Sequence, residues 1–157
     1  MLSIAVCATL TVAPLHSLKL ETVHRITQDS TQAEEKPHAR DSTFRTTIYN
    51  KEYNIYITMD FYGKNITIPG QEVLGCVDGF IASDNCKHVW AITSSEITSG
   101  KTAHIEAINN YGSEDLTARL TLNGDGSYTL KHTGGSTLKF PIKGKWQKIP
   151  GTTVFTK

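Results

Sequence analysis

The amino-acid sequence predicts an all-β fold, either an antiparallel β-sandwich or a small β-barrel with a C-terminal meander, preceded by a signal segment and a polar tail. Three observations predict it. From Phe44 onward apolar side chains recur with period two, the mark of half-buried strands. Strand-like runs follow one another closely, separated by turns rich in Gly, Asn and Asp. No stretch holds a helical period for longer than a turn or two. Such a series of short strands belongs to sandwiches and barrels. The chain has 157 residues, enough for one domain that buries roughly two-thirds of its unfolded surface.

The first charged side chain is Lys19. The apolar run before it is too short to span a bilayer and fits the core of a signal peptide over 1–17, with Ala13 and Ser17 as small residues near the cleavage point. No Lys or Arg precedes that core, so the signal is weakly charged or the start lies upstream. Lipid attachment at Cys7 is the lesser alternative. Apart from Pro37, the stretch Thr27–Thr43 has no apolar side chain larger than Ala, and it cannot offset its ordering entropy. Residues 18–43 are therefore expected to be a disordered or loosely ordered linker, and 44–157 a single all-β domain.

Within that domain strands are expected near 44–49, 52–62, 65–68, 88–93, 102–108, 116–122, 127–132, 137–142 and 145–149, with a last short one at Val154-Phe155. The second is the clearest: Tyr53, Ile55, Ile57, Met59 and Phe61 alternate with Asn54, Tyr56, Thr58, Asp60 and Tyr62. A one-residue slip in pairing turns the wrong face inward, so two hairpins can be placed in register. Leu122 opposite Tyr128 and Leu120 opposite Leu130 leave Gly124-Asp125-Gly126 as the loop. Leu130 opposite Leu138 and Tyr128 opposite Phe140 leave Thr133-Gly134-Gly135. Each loop ends in Gly, which tolerates the left-handed conformation required there.

Removing the export segment leaves Cys76 and Cys86, an even pair expected to form a disulfide that fixes the polar loop between them. No phosphate-binding Gly loop, zinc-protease helix or Gly-x-Ser-x-Gly elbow is present, and the six histidines are scattered. No metal, cofactor or catalytic residue is assigned. Asn123–Ser127 alternates oxygen-bearing side chains as calcium loops do, but the hairpin turn accounts for every residue in it. Asn65-Ile66-Thr67 matches the glycosylation triplet, relevant only to a secreted eukaryotic chain.

Two surfaces are candidate binding sites. The first is the polar face of the long strand, with Asn54, Tyr56, Asp60 and Tyr62, where rings beside amide and carboxylate groups can stack on a sugar or anchor a protein. The second is basic. The net charge is +1, yet six lysines and no acid follow Asp125, so the chain up to Asp125 carries −5. In the register above Lys131, Lys139, Lys143 and Lys145 form a stripe suited to an anionic partner. The same lysines would also keep sheet edges from pairing.

The balanced charge argues against nucleic acid as a partner, and no run is long enough for a transmembrane segment. The function expected is a non-catalytic binding module, periplasmic or secreted, that meets a protein (as an inhibitor does) or an envelope glycan. The alternative is a small barrel carrying an apolar ligand in a cavity lined by Ile57, Met59, Leu120, Leu130 and Phe140. A third class is a hydrolase using Cys76 or a serine with a distant histidine, which free and fast-reacting thiols at Cys76 and Cys86 would favour. Asp125–Tyr128 and Gly144–Trp146 resemble stretches of many small β-barrels, but they cover too little to indicate a family.

Overall fold

The computed structural model describes residues 42–83 and 88–157. The expected signal segment 1–17 and nearly all of the expected linker 18–43 lie outside the described residues, as do Asp84, Asn85, Cys86 and Lys87. Twelve strands follow in order: β1 (Arg45–Asn50), β2 (Ile55–Asp60), β3 (Ile66–Thr67), β4 (Cys76–Val77), β5 (Gly79–Ser83), β6 (Val89–Ser99), β7 (Thr102–Asn109), β8 (Asp115–Leu122), β9 (Tyr128–Gly135), β10 (Lys139–Ile142), β11 (Lys145–Lys148) and β12 (Thr152–Phe155). One 3-10 turn, Glu72–Leu74, precedes β4. No helix among the described residues is long and apolar enough to cross a membrane.

Eight strands form one antiparallel sheet in the order β1-β2-β5-β6-β7-β8-β9-β12. The sheet curls until its two ends nearly meet. Tyr49 and Thr156 exchange backbone hydrogen bonds of 2.7 and 2.9 Å, and the Asn50 amide donates to the Val154 carbonyl at 2.8 Å. The architecture is thus a nearly closed barrel rather than a sandwich, and the joint between β1 and β12 leaves little open sheet edge.

Eight strands enclose a space that side chains can fill. Here Phe44, Ile48, Ile57, Ile81, Trp90, Ile105, Leu120, Tyr128, Leu130, Leu138, Phe140 and Phe155 pack into one buried cluster. The alternation that places them is plain in β7, where Ala103, Ile105 and Ala107 point inward, and in β8, where Leu116, Ala118 and Leu120 do. The expected register of β8 on β9 holds: Leu120 pairs with Leu130 and Leu122 with Tyr128, and Gly126 takes the left-handed conformation at φ 84°.

Two expectations are corrected. The segment between Cys76 and Cys86 was expected to be a polar loop held by a disulfide. Its centre is β5, buried along its whole length between β2 and β6. Cys76 is free and exposed on β4, so it carries no bridge to Cys86, which is outside the described residues. The outer face of β5 is buried because the β3–β4 hairpin lies over it, forming a second apolar cluster of Ile68, Val77, Phe80, Ala82, Val89 and Ala91. A strand covered on both faces loses its period-two signature. Gly79 suits that position, since a Cβ there would lie 2.5 Å from the Thr58 carbonyl oxygen.

The second correction concerns β10. It pairs with β11, not with β9, whose other partner is β12. Gly134-Gly135 is not a turn but the end of β9. Gly135 has φ 76°, and a Cβ there would lie 2.6 Å from the Asp115 carbonyl oxygen. A Gly135→Ala chain is expected to lose about 2 kcal/mol through left-handed strain and backbone crowding together. Urea unfolding checks this; a change below about 0.5 kcal/mol would return Gly135 to an unconstrained turn.

The β10–β11 hairpin turns at Lys143-Gly144, both with positive φ (51° and 75°), as a two-residue turn of the primed type requires. In an up-and-down barrel the β1–β2, β5–β6 and β7–β8 connections and the end of β9 share one mouth. The hairpin lies across that mouth, with Phe140 buried in the core and Ile142 packed against it.

Candidate functional site: the aromatic mouth of the barrel

At this mouth three rings gather from three separate elements. His88 immediately precedes β6, Tyr111 lies in the β7–β8 turn and Trp146 is on β11. The His88 ring centroid is 5.3 Å from that of Tyr111 and 4.8 Å from that of Trp146, edge-on to the latter. Tyr111 and Trp146 are 68% and 59% exposed. Rings of that size facing water contrast with every other Trp and Phe of the described residues, all of which are buried.

A polar frame holds the rings. The Lys139 ammonium lies 2.6 Å from Glu114 Oε1 and 5.7 Å from the centre of the Trp146 ring. The Asn109 amide donates to Glu114 Oε2 at 3.1 Å and to Ser113 Oγ at 3.2 Å, while its own oxygen accepts from the Ser113 amide at 3.0 Å. Asn109 thereby folds the β7–β8 turn back on itself and presents Tyr111 at its tip. The recess among these groups is only about 20 Å³, room for roughly one water. The site is a platform rather than a pocket.

The Lys139 hydrogen bond holds the Glu114 carboxyl below its ordinary value of 4.5. A carboxyl whose folded value is lowered adds stability above its unfolded value and gives it up as pH falls through the lowered one. The frame is therefore complete at neutral pH and loosens on acidification below 4.5. Tryptophan emission is expected to show a transition below that point. A Glu114→Gln chain should lack the transition; the same transition in that variant would contradict the assignment.

The residues expected to bind from the sequence are dispersed. Asn54 is not on the strand face but in the β1–β2 turn at φ 53°, where it borders a shallow depression of about 240 Å³ with Ser83, Pro141, Ile142 and Lys143. Tyr56 is half-buried on the outer face, 5.9 Å from Phe80 edge-on, within the apolar cluster under the β3–β4 hairpin. Asp60 serves the turn after β2: its Oδ1 takes the Arg45 guanidinium at 2.9 Å and the amides of Gly63 and Tyr62 at 2.8 and 3.2 Å. Partial burial pushes that carboxyl up, but these donors outweigh it and hold it below its ordinary value. Tyr62 stands beside them, with Arg45 5.8 Å over its ring. Asn54 and the Asp60–Tyr62 pair thus sit at opposite ends of β2.

The lysines are divided in the same way. Lys131 is on the barrel wall beside Arg119, whereas Lys139, Lys143 and Lys145 are on the plug hairpin, Lys139 already paired with Glu114. The sequence reading missed His88, Tyr111, Glu114 and Trp146 as a group. Their one local signal was an aromatic set among polar neighbours, as in Lys145-Trp146-Gln147-Lys148 and Asn110-Tyr111-Gly112.

Another concavity, of about 140 Å³, opens on the flank where β9 leaves its pairing with β12. Leu116, Ala118, Leu130, Leu138 and Ile149 line it, with His132 and Pro150. Of the five residues expected to surround a ligand in a carrier, Leu130 alone borders it; Ile57, Met59, Leu120 and Phe140 are buried in the packed cluster. Among the described residues no group of three or more His, Cys, Asp or Glu is placed to hold a metal ion. Comparison with family models, curated proteins and solved structures returned no match.

Proposed function

We propose that the chain is an exported, non-catalytic binding module that meets a partner outside the cytoplasm through the aromatic mouth of its barrel. The observation that carries this reading is the exposed Trp146 and Tyr111, both in ring contact with His88 and bordered by a tied polar frame. Large rings kept in water at fixed positions cost solubility, and they supply the anchors on which binding energy concentrates. The packed interior supports the same reading, because it directs recognition to the surface.

Export rests on the apolar run of residues 1–17. The second reading, a carrier, is favoured by one observation, the apolar recess of about 140 Å³, which is close to the volume that holds a benzene-sized guest.

A column carrying the folded chain, loaded with envelope extract, is expected to retain a component that a Trp146→Ala/Tyr111→Ala column loses by at least about tenfold, or 1.4 kcal/mol. Equal retention by both columns would overturn the mouth as the binding face. Export is checked by fractionation of an expressing cell: the processed chain is expected in the periplasm or medium, and an unprocessed chain confined to the cytoplasm would refute it.

A further inference from the structure

Resting on the reading that the aromatic mouth is a binding face, we infer that its ligand is a neutral glycan chain. Shape is the first reason. Enclosed ligand sites run to roughly 300 Å³ or more, whereas the recess among these rings is about 20 Å³. A ligand here lies across the rings rather than inside them, as successive pyranose rings of a polysaccharide do. Tyr111 and Trp146 offer two exposed aromatic rings, each in contact with His88. The axial C–H bonds of a sugar present a weakly positive face to the negative π-cloud of an aromatic ring.

Charge is the second reason. Among the described residues that line the recess, the carboxylate and the ammonium are those of Glu114 and Lys139, and they pair at 2.6 Å. The seat for a cation over Trp146 is taken by Lys139 at 5.7 Å. A cationic ligand would have to displace that lysine, and an anionic one would have to strip it from Glu114. A hydroxyl needs neither, because it donates to the carboxylate and accepts from the ammonium while their pairing persists. The buried Asn109 amide donates to Glu114 Oε2 and so fixes the carboxylate that such a hydroxyl would meet. Protein interfaces concentrate aromatic residues too, but charged residues are depleted at their centres, and here an ion pair sits directly against the rings.

The test uses the two tryptophans, Trp90 buried at 2% exposure and Trp146 exposed. The full folded chain is titrated with chitohexaose, cellohexaose and xylohexaose as neutral probes and with heparin as the anionic one. At least one neutral hexasaccharide is expected to shift the emission at millimolar concentration, equally at low and high salt. Trp146→Phe should keep that binding and Trp146→Ala should lose it by at least about tenfold. Circular dichroism identical to wild type establishes that the alanine variant is folded. If none of the neutral sugars moves the emission while an envelope protein is still retained in a Trp146-dependent way, the glycan inference fails and the mouth remains a binding face. Salt-sensitive binding of heparin alone fails the inference in the same manner. If neither sugar nor envelope component depends on Trp146, both readings fail together.

Discussion

A Phe140→Ala chain is expected to lose about 3 to 5 kcal/mol of stability, the cost of emptying a fully buried aromatic site. In a domain of this size that is a fall in Tm of roughly 10–20 °C. The effect is diagnostic because Phe140 belongs to β10, which is outside the eight-stranded sheet. A hairpin merely appended to the barrel would unfold by itself and leave the melting of the barrel unchanged. A hairpin that plugs the mouth takes the core down with it. Trp146→Ala, on the facing strand of the same hairpin, removes an exposed ring and is expected to cost less than about 0.5 kcal/mol. The contrast between the two variants separates plug from platform. Two independent transitions in Phe140→Ala, or a loss below about 1 kcal/mol, would place the hairpin outside the cooperative unit.

The second large effect is expected at the opposite end of the barrel, where Lys64 reaches over the sheet to Asp78. Its ammonium lies 2.9 Å from Asp78 Oδ2 and 2.8 Å from the Ser95 carbonyl oxygen. The Ser95 hydroxyl donates to the same carboxylate oxygen at 2.5 Å. Asp78 is only 8% exposed, whereas the Lys64 side chain is 47% exposed. Removing the lysine leaves a carboxylate in a dry site with one donor, which is strongly unfavourable; removing both charges is not. Water reaches the lysine end and weakens the pair, so the loss in Lys64→Ala is about 2 to 4 kcal/mol rather than the full buried-pair figure. Lys64→Met/Asp78→Asn should recover at least half of it, since the asparagine oxygen still accepts from Ser95. A single variant that loses less than about 0.5 kcal/mol, or a double variant no better than the single, would make the contact an ordinary surface pair.

The parts of this fold that were legible in the sequence are those with one wet and one dry face. β2, β7 and β8 alternate cleanly, and the register of β8 on β9 followed from matching Leu120 with Leu130 across a Gly-ended loop. β5 was hidden because Phe80 and Ala82 are buried outside the barrel while Ile81 is buried inside it, so no polar face remained to mark the period. Gly134-Gly135 resembled a turn because a left-handed glycine serves equally at a turn and where two strands come too close for a Cβ. The inward set Leu130, Leu138 and Phe140 survived that error, since each still faces the core although the strands pair differently.

The site was less legible for a reason of geometry. His88, Tyr111, Glu114, Lys139 and Trp146 span 59 positions, and no two of the three rings share an element. Their proximity follows from the closing of the sheet and from the hairpin crossing its mouth, both long-range events with no local spacing to announce them. The face of β2 showed the converse. Its Asn54, Tyr56, Asp60 and Tyr62 looked coherent on one strand, yet a turn, a covering hairpin and a carboxylate-capped bend use them separately.

The most direct test of the account is a nuclear magnetic resonance titration of the isotope-labelled chain with the envelope fraction that its own column retains. Binding at the mouth predicts that the Trp146 indole signal and the backbone signals of His88 and Tyr111 move, while the methyl signals of Leu116, Leu130 and Ile149 stay still. Movement confined to those methyl groups, with Trp146 unchanged, would contradict it and assign recognition to the apolar recess on the flank.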